Sequence, residues 1–330
     1  MKHGTINSNT DQIEEIRSRI NNLRQHLASY YVGKQDILDL MVLCTFMQEP
    51  LLLVGKPGTA KSDLVVKFCQ ALSVGKNEYF EYMLTKFTEP SEILGPVDIK
   101  ELKEGKYIRN IEGKLPTAKI VFLDEVFKSN SAILNTLLTL INERKFYQNG
   151  QPHPVPMIML FGATNEIPEF SELAALRDRF TLKVESMPVQ ETHFEELIVK
   201  GLQNDAYKIA NQRPWEGKAS LEDFIVLKQC FDEHLFQQLK SSAKRPDQAF
   251  FPEREYTLFK HILKTLQKEN QLEVTDRKVI KLYKLIRARA YLEHGGVVKA
   301  SDLGLLQFLP DKLQDFEPVA QKINKMLGLS

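Results

Sequence analysis

One stretch decides the fold: Leu51-Leu52-Leu53-Val54-Gly55-Lys56-Pro57-Gly58-Thr59-Ala60-Lys61-Ser62. It begins with four apolar residues, which predict a buried strand, and continues through a glycine-bearing loop into a predicted helix. This arrangement is typical of a phosphate loop, in which backbone N–H groups surround the phosphates of a nucleotide. Lys61 is then expected to reach the β- and γ-phosphates, and the Ser62 hydroxyl to bind Mg²⁺.

One position of the loop departs from the usual pattern, because Ala60 stands where a glycine normally precedes the lysine. The alternative interpretation is a glycine-containing turn in an unrelated α/β protein. The flanking strand and helix favour nucleotide binding. We therefore predict nine consecutive nucleotide-binding residues: Gly55, Lys56, Pro57, Gly58, Thr59, Ala60, Lys61, Ser62 and Asp63.

The composition is that of an ordinary soluble globular protein, with 26% charged and 43% hydrophobic residues. Lys plus Arg number 44 against 43 for Asp plus Glu, so no global field favours nucleic acid or a membrane surface. The three cysteines form no Cys-x-x-Cys motif, which indicates a reducing compartment. No stretch approaches the roughly 18 apolar residues of a membrane span. We predict a cytoplasmic protein without a membrane span.

Apolar runs alternate with helical patterns over the first part of the chain, which predicts a doubly wound parallel α/β domain. Within it, Lys145 to Pro156 contains Asn149-Gly150, a hairpin signal, and 97–118 is a charged excursion with short β-like pieces. After Met187-Pro188 the chain becomes helical and strand-poor. Two domains are expected, 1–190 and 191–330. The strands are predicted at 51–54, 79–84, 119–125, 157–162 and 180–184.

Two carboxylates, Asp124 and Glu125, follow one of the buried strands, 63 residues after Lys61, as in a Walker B pair. Ligands of open α/β sheets bind at the carboxyl ends of the strands. Asp124 is expected to hold Mg²⁺ through its water shell, and Glu125 to polarise the attacking water. The alternative is an acidic pair that stabilises a helix N-terminus.

Asn165 follows the next buried strand, where its amide can contact the γ-phosphate or the lytic water. The alternative is that Asn165 is only a turn residue, since Asn is common in the turns that follow strands. Arg177 and Arg179 stand before the last strand. Arginine's planar fork suits a transition-state phosphate, and a neighbouring subunit can supply such an arginine. We prefer Arg179 as this arginine finger, with Arg177 as the second choice. An exposed Arg-Asp-Arg ion-pair cluster is the plainer interpretation.

Arg277 projects from the first turn of a predicted helix that Thr275 or Asp276 can cap. Cations are not preferred at helix starts, and this misfit slightly favours a phosphate contact over an unpaired surface position. Further along the same helix, a basic set indicates either a solvated face or a phosphate-binding one. The set comprises Lys278, Lys281, Lys284, Arg287 and Arg289.

Five motifs carry a family resemblance: Gly55-x-x-Gly58-x-Ala60-Lys61-Ser62, Phe87-Thr88-x-Pro90-x-Glu92-Ile93-Leu94-Gly95-Pro96, Leu123-Asp124-Glu125, Leu134-Asn135-x-Leu137-Leu138-x-x-Ile141-Asn142-Glu143-Arg144-x-Phe146 and Asp178-Arg179-Phe180. Together they resemble the MoxR family of AAA+ ATPases, and within it the RavA-like branch. The phosphate loop with alanine before the lysine is typical of this family.

The resemblance implies an AAA+ P-loop core with a C-terminal helical lid, and ATP and Mg²⁺ bound at the subunit interfaces of a hexameric ring. It implies that Arg277 is a sensor 2 residue and that Val32 and Gly33 contact the adenine. Relatives act as chaperone-like remodelling ATPases, often with von Willebrand factor A domain proteins. Two alternatives remain on the same kind of loop: a nucleic-acid motor or clamp loader, and a small-molecule kinase. Neutral net charge makes nucleic acid the weaker partner.

Overall fold

The computed structural model describes residues 4–239 and 247–329. The sequence Lys244-Arg245-Pro246-Asp247 predicts a loop, and this stretch lies mostly outside the described residues. Five parallel strands form a central sheet in the order β2-β3-β6-β1-β7, and two antiparallel strands form a separate hairpin. The strands are β1 (Leu51–Val54), β2 (Tyr79–Met83), β3 (Ile120–Asp124), β4 (Lys145–Gln148), β5 (Gln151–Pro154), β6 (Met159–Thr164) and β7 (Leu182–Glu185).

β1 lies between β6 and β7, with Leu51 opposite both Phe161 and Leu182. All four of its residues are buried, because helices cover both faces of the sheet. Successive side chains of β1 point to opposite faces. Leu51 and Leu53 pack in one core, and Leu52 and Val54 in the other. Because both faces of β1 are buried, each of its four residues must be apolar.

Gly162 in β6 lies where two elements come close together. A Cβ atom built on it would lie 2.7 Å from the ring of Phe180. The absence of a side chain at Gly162 thus lets Phe180, two residues before β7, pack against the centre of the sheet.

Helices and strands alternate before β7, and the helices after it form a helical region with no strand among the described residues. The α-helices are α1 (Gly4–Ala28), α2 (Gln35–Met47), α3 (Lys61–Ala71), α4 (Pro90–Leu94), α5 (Ile99–Lys103), α6 (Ser131–Glu143), α7 (Ala174–Arg179), α8 (Phe194–Ile209), α9 (Leu221–Leu239), α10 (Glu253–Glu269), α11 (Asp276–His294) and α12 (Phe316–Leu327). No described helix combines the length and hydropathy needed to cross a bilayer.

The predicted α/β core with a helical C-terminal part is confirmed, as is the hairpin across Asn149-Gly150. The excursion at 97–118 agrees only in part with the prediction of short β-like pieces. It contains helix α5, which Asp98 caps by accepting hydrogen bonds from the amides of Lys100 and Glu101. The only bridge described there pairs Val97 with Arg109.

Candidate nucleotide-binding site

The phosphate loop connects β1 to α3 and packs against the chain segment that leaves β7. A Cβ atom on Gly55 would lie 2.6 Å from the carbonyl oxygen of Ser186, so only glycine fits there. The Ser186 hydroxyl donates a hydrogen bond to the carbonyl of Thr59, 2.7 Å away. These contacts hold the loop against the end of β7.

Ala60, the residue that departs from the common loop pattern, has φ +67° and ψ +19°, in the left-handed region. Glycine adopts this conformation without cost, whereas an alanine there is strained. The loop nevertheless keeps its shape and leads directly into α3, which starts at Lys61. The methyl group is therefore tolerated without loss of the phosphate-loop path.

Three predicted site residues meet at the carboxyl edge of the sheet. Lys61 Nζ lies 3.4 Å from Asn165 Oδ1, and Asn165 Nδ2 lies 2.5 Å from Glu125 Oε1. Lys61 also donates to the loop carbonyls of Gly55, at 2.5 Å, and Lys56, at 3.1 Å. A chain of contacts thus runs from the phosphate loop through the amide to the carboxylate.

Glu125 is held in a specific conformation at this edge. Its backbone is left-handed, with φ +51°, and its amide donates to Asp124 Oδ1 at 2.8 Å. Lys128 Nζ lies 3.1 Å from Glu125 Oε1. Backbone strain of this kind in a non-glycine residue is typical of functional sites.

A cavity of about 320 Å³, the phosphate cavity, collects these groups. Asp124 and Ser62 both line it and supply the hard oxygen atoms that Mg²⁺ prefers, so the donor set fits this ion. Burial lowers the pKa of Lys61, and the charges of Asp124 and Glu125 partly offset that effect. The residues that line the phosphate cavity are Pro57, Gly58, Thr59, Ala60, Lys61, Ser62, Asp63, Met83, Asp124, Glu125 and Asn165.

A second cavity of about 610 Å³, the base cavity, lies on the other side of the phosphate loop. Val32 lines it. Gly33 has φ +62°, and a Cβ on it would lie 2.9 Å from Val189 Cγ1, a residue of the same cavity wall. Helix α8 forms another wall of the base cavity. From it, Lys200 and Asn204 donate hydrogen bonds to the backbone carbonyls of Tyr31 and Tyr30, respectively. A volume of this size is typical of small-molecule sites.

Sequence reasoning missed several polar residues around the base cavity. Tyr31 donates to Asp63 Oδ2 at 2.8 Å, and burial together with that carboxylate raises the pKa of Tyr31. Lys67 pairs with Asp63 at 2.6 Å, and its ammonium lies over the rings of Tyr31 and Trp215. No short motif marks this group, because its members come from distant parts of the chain.

Arg179 and Arg177 lie on α7, away from the two cavities. β7 runs parallel to β1, so its start lies at the edge opposite the phosphate loop. Arg177 Nη1 donates to the carbonyl of Pro168 at 2.6 Å. Arg179 Nε is buried without a hydrogen-bond partner among the described residues. The structure thus does not bring Arg179 to the nucleotide site of its own chain.

Arg277 is also remote from both cavities. It is exposed at the start of α11, and Lys281, one turn further on, pairs with Glu49 at 2.5 Å. Glu49 lies just before β1, at the edge of the sheet opposite the phosphate loop. The structure therefore does not support a contact between Arg277 and the phosphates of its own chain.

The predicted basic face of α11 needs correction. Lys278 and Arg287 are 4% and 0% exposed, and Arg287 stacks over the ring of Phe250. Lys281 is neutralised by Glu49. Only Lys284 of the five is exposed. This helix therefore offers no continuous basic surface for a nucleic acid.

The fold and the site define a P-loop nucleotide-binding protein of the AAA+ class: a parallel sheet, a phosphate loop after β1, carboxylates after β3 and a polar residue after β6. A profile of the MoxR domain in the MoxR-vWA-beta-propeller ternary systems matches residues 18–224, and one of an AAA lid domain matches 256–323. The chain belongs to the MoxR family of AAA+ ATPases.

The chain is also similar to individual proteins. An uncharacterised protein of Methanocaldococcus jannaschii is 31% identical over 299 residues, 90% of this chain and 71% of the relative. The chaperone MoxR1 of Mycobacterium tuberculosis is 24% identical over 157 residues, 46% of this chain and 40% of that protein. The crystal structure of a candidate ATPase from Cytophaga hutchinsonii covers 98% of both chains with a TM-score of 0.69 at 14% identity, and supports the fold.

Proposed function

We propose that this chain is a magnesium-dependent ATPase that converts ATP and water to ADP and phosphate and thereby remodels a partner protein. One observation carries the proposal: Lys61, Asn165 and Glu125 lie in contact along a single cavity beside the phosphate loop. These are a cation, an orienting amide and a carboxylate base, the groups that nucleotide hydrolysis requires.

Each residue has a separate role in the proposed reaction. The loop amides and Lys61 bind the β- and γ-phosphates, and Asn165 orients the γ-phosphate or the attacking water. Glu125 accepts a proton from that water. Ser62 and Asp124 would hold Mg²⁺, which supplies positive charge to the phosphate oxygens when bound.

The base cavity is the proposed site of the adenine. It adjoins the phosphate cavity, since Pro57 through Ala60 and Asp63 line both. Val32 contacts the base in this proposal, and Gly33 permits the close approach of the wall at Val189. One nucleotide can therefore occupy both cavities with its phosphates at the loop.

We further propose a ring, of six subunits in the family, in which Arg179 acts on the nucleotide of a neighbour. Its position away from both cavities of its own chain supports action in trans. Arg177, which is bonded to the Pro168 carbonyl, is the second choice. Arg277 is exposed and lies near the edge of the sheet opposite its own phosphate loop, so we propose that any phosphate contact it makes is to a neighbouring subunit's nucleotide.

The partner is proposed to be a protein with a von Willebrand factor A domain, because the matching profile describes MoxR domains of MoxR-vWA-beta-propeller systems. The division of the chain near residue 190, the RavA-like branch and a cytoplasmic location stay predictions. A nucleic-acid motor or clamp loader is the less favoured function, since the basic set on α11 is largely buried or paired.

The test compares three variants in a phosphate-release assay. Lys61→Ala is expected to lose nucleotide binding, and Glu125→Gln to bind ATP but hydrolyse it at least about a hundredfold more slowly. Glu166→Gln is the matched control: it removes the same charge from an exposed side chain that lines neither cavity. Wild-type hydrolysis by Glu125→Gln would refute the assignment of the base. A pull-down with the same variant and ATP would identify the partner.

A further inference from the structure

Lys34 is a buried lysine at the wall of the base cavity, where it precedes α2. It is 6% exposed and lines the cavity together with the phosphate loop. Its ammonium donates to Ser186 Oγ at 3.0 Å and to the carbonyl of Met187 at 2.6 Å. Both acceptors are neutral, so these bonds do not neutralise its charge.

The other buried lysines described have a carboxylate nearby. Lys67 pairs with Asp63, and Lys183 and Lys278 share Asp311. Lys61 is stabilised by the charges of Asp124 and Glu125. For Lys34, no carboxylate of the described residues lies within 4.0 Å, the limit for an ion pair. A buried charge without a counter-charge is costly, so an anion is expected to complete the site.

We propose that Lys34 is a nucleotide-binding residue, and that the phosphates of the nucleotide supply its missing counter-charge. The inference rests on the proposed function. Its geometry follows from the contacts already described: Lys34 bonds to Ser186, and Ser186 bonds to the Thr59 carbonyl within the phosphate loop. Lys34 itself lines only the base cavity, but Thr59 lines both cavities, so Lys34 is connected to the edge of the phosphate cavity through Ser186.

The same surroundings make binding depend on pH. Burial, and then repulsion from Lys61, lower the pKa of Lys34 to about 8. Phosphates beside it would raise that pKa, so Lys34 takes up a proton when a nucleotide binds in mildly alkaline solution. Among the other charged groups on the cavity wall, Asp63 is already paired with Lys67 and Lys200 with Glu196. The remaining ones are Lys56, Glu191, Asp205 and Lys208.

The experiment is calorimetric titration of the full chain with ADP at pH 8.5, in buffers with different ionisation enthalpies. ADP phosphates are already ionised at this pH, so they contribute little proton exchange. The wild-type protein is expected to take up about half a proton or more per ADP. Lys34→Met should lose that uptake and bind ADP at least about tenfold more weakly. Lys34→Arg keeps a charge that does not titrate, so it should lose the uptake and retain most of the affinity.

Lys281→Met is the control, because Lys281 pairs with Glu49 at the opposite edge of the sheet. Its ADP affinity and proton uptake should equal those of the wild type. Failure of the wild type to bind ADP would refute the proposed function itself. Binding without proton uptake by the wild type, or the same uptake by Lys34→Arg, would overturn the inference while leaving nucleotide binding intact. The wild-type measurement does not depend on whether Lys34→Met folds.

Discussion

Asp311→Asn tests how the helical region is attached to the sheet. Lys183 in β7 is fully buried, and its ammonium lies 2.7 Å from Asp311 Oδ1, in the segment before α12. These two atoms are not aligned for a hydrogen bond, so the contact is an ion pair. Lys278 of α11 lies 4.0 Å from the other oxygen of Asp311. One carboxylate thus serves two buried cations.

The expected cost at pH 7 is large, because the variant leaves buried lysines without a counter-charge. Removing one partner of a buried ion pair lowers the unfolding free energy by about 3–5 kcal/mol, a large part of a typical value of about 5–15 kcal/mol. Burial lowers the pKa of Lys183 to about 8 even with Asp311 present. The unfolded chain keeps that proton up to about pH 10.5.

The pH dependence follows from this difference. Between about pH 8 and 10.5 the unfolded chain binds more protons at Lys183 than the native protein does, so this residue makes stability rise with pH. Over the same interval Asp311 loses its charged partner at Lys183 in the native wild type. The difference in unfolding free energy between Asp311→Asn and wild type should therefore shrink as the pH rises from 7 to 9.5.

Urea denaturation, followed by circular dichroism and by the fluorescence of the single tryptophan, measures this difference at both pH values. Asp232→Asn is the control, because it breaks a Lys228–Asp232 pair whose aspartate is 56% exposed and should cost less than about 1 kcal/mol. Combining Asp311→Asn with Lys183→Met should recover part of the loss. A loss below about 1 kcal/mol at pH 7, or an equal loss at pH 9.5, would refute the reasoning.

Three further changes test other parts of the molecule. Gly55→Ala should weaken ADP binding at least about tenfold, measured by calorimetry, because its Cβ would lie 2.6 Å from the Ser186 carbonyl. Asn130→Ala removes the side chain that caps α6 and should lower the unfolding free energy by about 1 kcal/mol, measured in urea; an unchanged midpoint would contradict the cap. Arg179→Ala should bind ATP without hydrolysing it. Mixed with Lys61→Ala, it should regain activity in a phosphate-release assay, and no recovery would count against action in trans.

The parts of the fold that the sequence predicted well depend on local pattern. β1 occupies 51–54 as expected, because four consecutive apolar residues suit a strand buried on both faces. The carboxyl ends of parallel strands meet at one edge, so the sequence alone could place Asp124 and Asn165 beside the loop. β6 begins two residues later than predicted, at Met159. Apolar periodicity alone does not determine where pairing with a neighbour starts.

What the sequence could not predict depends on contacts between distant segments. Nothing local marks Lys34, since its acceptors lie more than 150 residues away. The start of α11 was predicted correctly from its capping residue, Thr275. A capping residue does not indicate, however, near which edge of the sheet the helix begins. For that reason the sequence could not show that Arg277 lies away from the nucleotide site of its own chain, and its phosphate contact stays a prediction. The buried state of Arg287 was missed because helical spacing does not distinguish a buried arginine, here in contact with Phe250 and Gln238, from a solvated one.

The two walls of the base cavity differ in how firmly they are held. One wall is the phosphate loop, fixed to β7 through Ser186. The other is α8, which contains no buried residue. It is bonded to the segment between α1 and α2, where Lys200 donates to the carbonyl of Tyr31 and Asn204 to that of Tyr30. Segments with few buried apolar contacts have the lowest local stability. On the proposed function, a bound nucleotide adds contacts to both walls, so its binding energy should affect the position of α8 more than that of the sheet.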